Sequence, residues 1–267
     1  MNSLIPLSIA ALFLIANKSK VSTKVEKSSS TITVGLYKSY GVSEISFEAA
    51  ETLLKSQKNI KLKIVSASDI RKGALKDVNV FIAMGGSGSQ QGKDLQELGR
   101  EKVKEFVKNG GGYIGVCGGS YMAITGPSEG KLNMLSVKNY GNDGWQRGNG
   151  DCEMETNDGQ IINLHYENGP IFEDTKYEGA SSYQSLATFN CDYYIPNKGT
   201  YEGEMPGQPA IVVGNYGKGR VLLFSPNPIL GDPKRDDMFI NGIKYVSVSG
   251  KVKSSIRFGD IFNKNLS

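Results

Sequence analysis

The chain has 267 residues, 39% hydrophobic and 22% charged, which supplies one large core and is marginal for two domains. That balance excludes a disordered chain. The net charge of +4 is spread over scattered lysines, with no compact basic block and no interleaved aromatic stripe, so a nucleic-acid surface is not expected.

Leu4 to Ala16 is an uncharged apolar run, too short to span a bilayer comfortably, and it ends in a small residue before a Lys-containing stretch. It predicts a signal peptide over residues 1–16, cleaved after Ala16. The mature protein would then be secreted or periplasmic, with no stable membrane span. Met1-Asn2-Ser3 carries no Lys or Arg, so a short uncleaved anchor is the alternative. Residues 17–30 are polar and Ser/Lys-rich and read as a linker.

From Thr31 onward, runs of strand and helix character alternate. Thr31 to Tyr37 is β-rich. Ser43 to Ser56 has helical apolar spacing at Ile45, Phe47, Ala50, Leu53 and Leu54, with Ser43 or Ser46 as N-cap. Ile60 to Val65 and Val78 to Met84 read as strands, the latter running into Gly85-Gly86-Ser87-Gly88-Ser89. Asp94 to Lys108 is an amphipathic helix stopped by Asn109 and three glycines. Tyr113 to Val116 is a short apolar strand of the fully buried kind, and Gly118 to Thr125 starts a helix. Short connections between these elements predict an α/β fold with a doubly wound, mostly parallel sheet. Additional strands are expected in the second half at Gln160–Tyr166, Ala180–Phe189, Ala210–Asn215 and Gly219–Phe224. The last two form a hairpin, followed by a helix over Phe239–Ser247. The domain is expected over residues 31–250, with a C-terminal tail over 251–267.

The chemistry concentrates at Gly115-Val116-Cys117-Gly118-Gly119-Ser120-Tyr121. A cysteine on a sharp strand-to-helix turn projects from the sheet end, and a helix N-terminus there favours thiolate. The Gly118 amide would face an oxyanion formed at the thiol, and the Gly85-Gly86-Ser87 loop would supply a second donor. Of the three cysteines, Cys152 and Cys191 can pair, which would leave Cys117 free; sequence alone does not decide it.

The run from Phe81 to Ala123, with GGGYIGVCGGSYMA, resembles class I glutamine amidotransferases, and more closely the biotin-protein-ligase N-terminal domain family. Further marks are Gly35-Leu36-Tyr37 with Gly41-Val42-Ser43, then Tyr166 to Pro170, then Gly217 to Val221. The resemblance covers about Thr31 to Lys244. It implies a flavodoxin-like sheet and a nucleophilic Cys117, with Gly85, Gly86, Ser87, Gly118 and Tyr121 around the reacting group. The family's His-Pro-Glu motif is absent. Asn227 stands where the His would be and Ile229 where the Glu would be, and Asn cannot take a proton from a thiol near neutral pH.

His165 is the only histidine, so any Cys–His dyad must pair it with Cys117. A hydrogen-bonded strand-end residue is the competing reading. Glu44 could perturb the thiol instead, as an acid does in the protease/deglycase branch of the superfamily. Trp145 reads as a ligand wall or a packing anchor. Asp232, Asp236 and Asp237 have no His or Cys beside them and read as a solvated loop, so no metal or other cofactor is expected. Two functions remain: a Cys117-dependent amide or ester hydrolase or acyl-transfer enzyme, and a catalytically degenerate module binding a small molecule. The stretch after Lys244 is too short for the biotin-ligase catalytic domain, so ligase activity is not expected from the resemblance.

Overall fold

The computed structural model describes residues 31–141 and 145–263. The expected signal peptide and linker lie outside them. A nine-stranded sheet organises the chain. Its first half is parallel: β1 (Ile32–Tyr37), β2 (Ile60–Val65), β3 (Val80–Ala83) and β4 (Gly112–Val116), joined by a later strand, β11 (Gly219–Phe224). Its second half is antiparallel: β6 (Asn149–Thr156), β7 (Ile161–Glu167), β9 (Tyr183–Phe189) and β10 (Pro209–Tyr216). The spatial order is β2-β1-β3-β4-β11-β10-β9-β6-β7. β5 (Val137–Asn139) and β8 (Phe172–Asp174) form a separate antiparallel pair.

The two halves follow different sequence rules. β3 (VFIA) and β4 (GYIGV) are buried at every residue, because helices cover both faces there. Alternate residues feed opposite cores. Ile82, Ile114, Val116, Leu222 and Phe224 pack with α1 (Glu44–Ser56), α5 (Asp236–Val246) and α6 (Phe258–Phe262). Phe81, Ala83, Tyr113, Val221 and Leu223 pack with α2 (Ala67–Arg71), α3 (Gly88–Lys108) and α4 (Gly118–Ala123). β6 and β7 alternate instead, with Cys152, Met154, Ile162, Leu164 and Tyr166 inward and polar residues outward. That alternation hid β6 in the sequence, since NGDCEMET is polar at every second position.

Two expectations need correction. The helix expected from Asp94 starts at Gly88 and breaks at Gln96 (φ 57°, ψ 177°). The carbonyls released by the break are taken up by arginines: Arg71 donates to the Asp94 carbonyl at 2.8 Å, and Arg100 to the Gly92 carbonyl at 3.0 Å. The segment after Gly250 is not a tail up to Phe262. Ile256, Phe258, Ile261 and Phe262 enter the core, and Asn157 and Asp158 hold the Phe258 and Gly259 amides at 2.8 Å each.

The β4–α4 turn is closely packed. Its main chain is tied to both neighbouring strands: Cys117 N–H donates to the Phe224 carbonyl at 2.8 Å, and Gly119 N–H to the Met84 carbonyl at 3.1 Å. A Cβ at Gly119 would collide with the Ala83 carbonyl, and one at Gly118 with the Gly86 carbonyl. These are main-chain neighbours that cannot yield by a rotamer change. Gly119→Ala is therefore expected to cost about 3 kcal/mol or more, read as a lowered urea midpoint. An unchanged midpoint would show that the turn is not close-packed.

Candidate functional site

Cys117 holds φ 50° and ψ −108°, a conformation costly for a residue with a Cβ, between the end of β4 and the first residue of α4. The half-buried thiol donates to the Glu167 carbonyl at 3.4 Å. Burial pushes its pKa up to about 11. The Gly86 and Gly118 amides that bear on the sulfur pull the other way without cancelling this, and the Glu167 charge adds to the rise. The expectation that the turn favours thiolate is thus overturned. The helix behind the thiol has only six residues, and desolvation outweighs its dipole.

Cys117, Gly86 and Asn168 lie between two adjoining cavities. The inner one, of about 190 Å³, is polar and lined further by Ser43, Ser46, Gly85, Glu167, Asn227 and Leu230. The outer one, of about 490 Å³, is lined further by Ser87, Gly88, Ser89, Tyr121, Trp145 and Pro170. Gly85, Gly86, Ser87, Gly118 and Tyr121 are therefore brought together with Cys117. Ser87 also caps α3, its hydroxyl accepting from the Gln90 amide at 3.4 Å. The Tyr121 and Trp145 rings lie 6.4 Å apart at 40°. Behind Tyr121, the Lys131 amine sits 3.0 Å from the ring centroid and donates to the Tyr121 carbonyl at 2.5 Å. Burial pushes the Lys131 pKa down to about 6.

His165 is not brought to the thiol. It lines neither cavity, its carbonyl accepts the Asn227 amide at 2.7 Å, and its ring lies beside Gly231. Glu44 is also elsewhere, exposed and paired with Lys38 at 2.7 Å. Asn227 is committed on both sides: its amide nitrogen donates to Ser46 Oγ at 3.0 Å, and its oxygen accepts the Ile229 amide at 3.2 Å. Ser46 Oγ also accepts the Gly85 amide at 3.1 Å. Ile229 is a core residue. Asp236 and Asp237 occupy the first turn of α5, and no group of His, Cys, Asp or Glu able to hold a metal occurs among the described residues.

Sequence reasoning missed Leu230, saw Ser43 and Ser46 as caps, and saw Glu167 and Asn168 only within a family mark. Asn168 is the informative one. It takes φ 47°, and its side chain accepts the Arg147 amide at 2.7 Å, turning the chain after β7 across the thiol. Arg147 itself is buried and paired with Glu204 at 2.8 Å. The Tyr166–Pro170 run carried the signal, though only as a family mark. Cys152 and Cys191 form a disulfide with Cα atoms 5.3 Å apart, and Cys117 is free.

Residues 32–127 match the family model described as "Biotin-protein ligase, N terminal". Over that span the chain is similar to the biotin-protein-ligase N-terminal family. A glutamine amidotransferase crystal structure, 21% identical, superposes with a TM-score of 0.52 over 79% of this chain and 98% of that one. PurLQS from Thermotoga maritima, 13% identical, superposes with a TM-score of 0.56 over 81% of this chain and 97% of that one. The chain shares its fold with these structures. No curated protein matches the sequence. The matched segment contains Ser46, Gly86, Cys117 and Tyr121. Trp145, Glu167, Asn168 and Asn227 close the hollow from beyond it.

The raised pKa makes Cys117 a slow nucleophile. Two pKa units above an ordinary thiol should lower its alkylation by iodoacetamide at pH 7 about 100-fold relative to the same chain unfolded in urea. The rate should climb about tenfold per pH unit until the thiol ionises near pH 11. A rate already level at pH 7 would reveal a thiolate and refute the assignment.

Proposed function

We propose that this domain binds a small carbonyl-bearing molecule in the Cys117 hollow, on an amidotransferase-like scaffold that has lost the proton-transfer half of its chemistry. The observation that carries this reading is that, among the described residues, no imidazole faces the thiol. Asn227 stands where the family's His would be and is hydrogen-bonded to Ser46, while His165 lines neither cavity. What remains is the binding half: the Gly86 and Gly118 amides and a neutral S–H, all able to donate to one acceptor. The experiment follows hydrolysis of L-glutamine and of p-nitrophenyl acetate by wild type and Cys117→Ala. Equal background rates are expected. Saturable turnover that disappears with Cys117 would sink the reading.

The second reading, a Cys117-dependent hydrolase or acyl-transfer enzyme, is favoured by one feature. The strained positive φ at Cys117 is the conformation a nucleophile needs, and a mere packing residue would have no use for it. In that case Glu167 or a ligand group must take the thiol proton.

Export is part of the proposal. The apolar run at Leu4–Ala16 supports it, and so does the Cys152–Cys191 disulfide, since such bonds persist in oxidising compartments. Full-length chain expressed with a bacterial secretion system is expected in the periplasmic or extracellular fraction, beginning at Asn17. Quantitative retention in the cytosol with Met1 intact would exclude it.

A further inference from the structure

We infer that the hollow selects an uncharged or cationic ring compound whose carbonyl reaches the Gly86 and Gly118 amides while its ring lies against Trp145 and Tyr121. This rests on the binding reading above and specifies the ligand class. Two independent features define that class.

The first is shape. The outer cavity, about 490 Å³, is far larger than a carbonyl head needs, and its wall carries two aromatic rings. Tyr121 is held from behind by the buried Lys131 amine at its ring and carbonyl, so one face of the wall is fixed before a ligand arrives. A rigid aromatic wall rewards a flat ligand, because stacking area is gained with little ordering cost.

The second is charge. Among the described residues, neither cavity is lined by Lys, Arg or His, and the acidic residue lining the inner one is Glu167, whose charge bears on the thiol. A ligand carboxylate placed at the Gly86 and Gly118 amides would face Glu167 with no counter-cation. Free amino acids and aryl acids are therefore disfavoured, while neutral amides, esters and ketones are accepted. A ring bearing a positive charge gains from both Glu167 and the aromatic faces.

The chain's single tryptophan is Trp145, so its intrinsic fluorescence reports on this wall alone. The experiment titrates the full chain with benzamide, acetamide and benzoate, reading Trp145 emission and the protection of Cys117 from N-ethylmaleimide at pH 9. Benzamide should quench saturably and bind about tenfold tighter than acetamide, with benzoate weaker than benzamide. Tyr121→Leu should erase the benzamide advantage while leaving acetamide protection in place, and Glu167→Gln should improve benzoate. Acetamide matching benzamide overturns the ring assignment, and benzoate matching benzamide overturns the charge assignment. Both outcomes leave the binding reading intact. If none of the three protects Cys117, the binding reading itself fails and this inference with it.

Discussion

Everything at this site depends on a main chain that comes closer to its neighbours than side chains allow. The turn after β4 lays Gly118 on the Gly86 carbonyl and Gly119 on the Ala83 carbonyl, while Cys117 N–H is pinned to Phe224. With three strands gripping it, the turn can hold Cys117 at a φ of 50° that an isolated peptide would abandon. The sulfur is thereby fixed at the sheet end with two amides bearing on it. The cost of the geometry is met by the sheet, not by the site.

The same enclosure that fixes the sulfur also strips it of water. Amide donors and a short helix both favour the anion, yet neither is a full charge, and desolvation is the larger effect. Among the described residues no imidazole lines the hollow at the thiol, and Asn227 commits its two polar side-chain atoms to Ser46 and the Ile229 amide. Asn227 serves as a brace between α1 and the loop after β11.

The parallel half was legible in the sequence because full burial writes itself as apolar runs: Val78–Met84 and Tyr113–Val116 read directly as strands. The elbow was legible because its glycines are dictated by contact. The antiparallel half was less so. Asn149–Thr156 shows an inward face only at Cys152, Met154 and Thr156, and nothing in Gly88–Lys108 announces the break at Gln96, which depends on arginines from other turns. The site followed the same division. Gly86, Gly118 and Tyr121 could be named from local pattern, whereas Glu167, Asn168 and Leu230 arrive through the long return of the chain. The sign of the thiol's pKa shift was misread for the same reason, since burial is a property of the assembled hollow and not of the helix start.

The hollow thus has two structural origins. Its floor is built by the parallel strands and their tightly packed turn, where almost any substitution disturbs folding. Its walls are the loop at Trp145 and the end of β7 with the turn after it, at Glu167 and Asn168, where the chain is half-buried or exposed. Recognition can therefore drift while the scaffold stands still: a change of loop side chain reshapes what fits without touching the strands that carry the sulfur. In such a molecule ligand preference is a poor guide to ancestry, and the floor is where kinship is written.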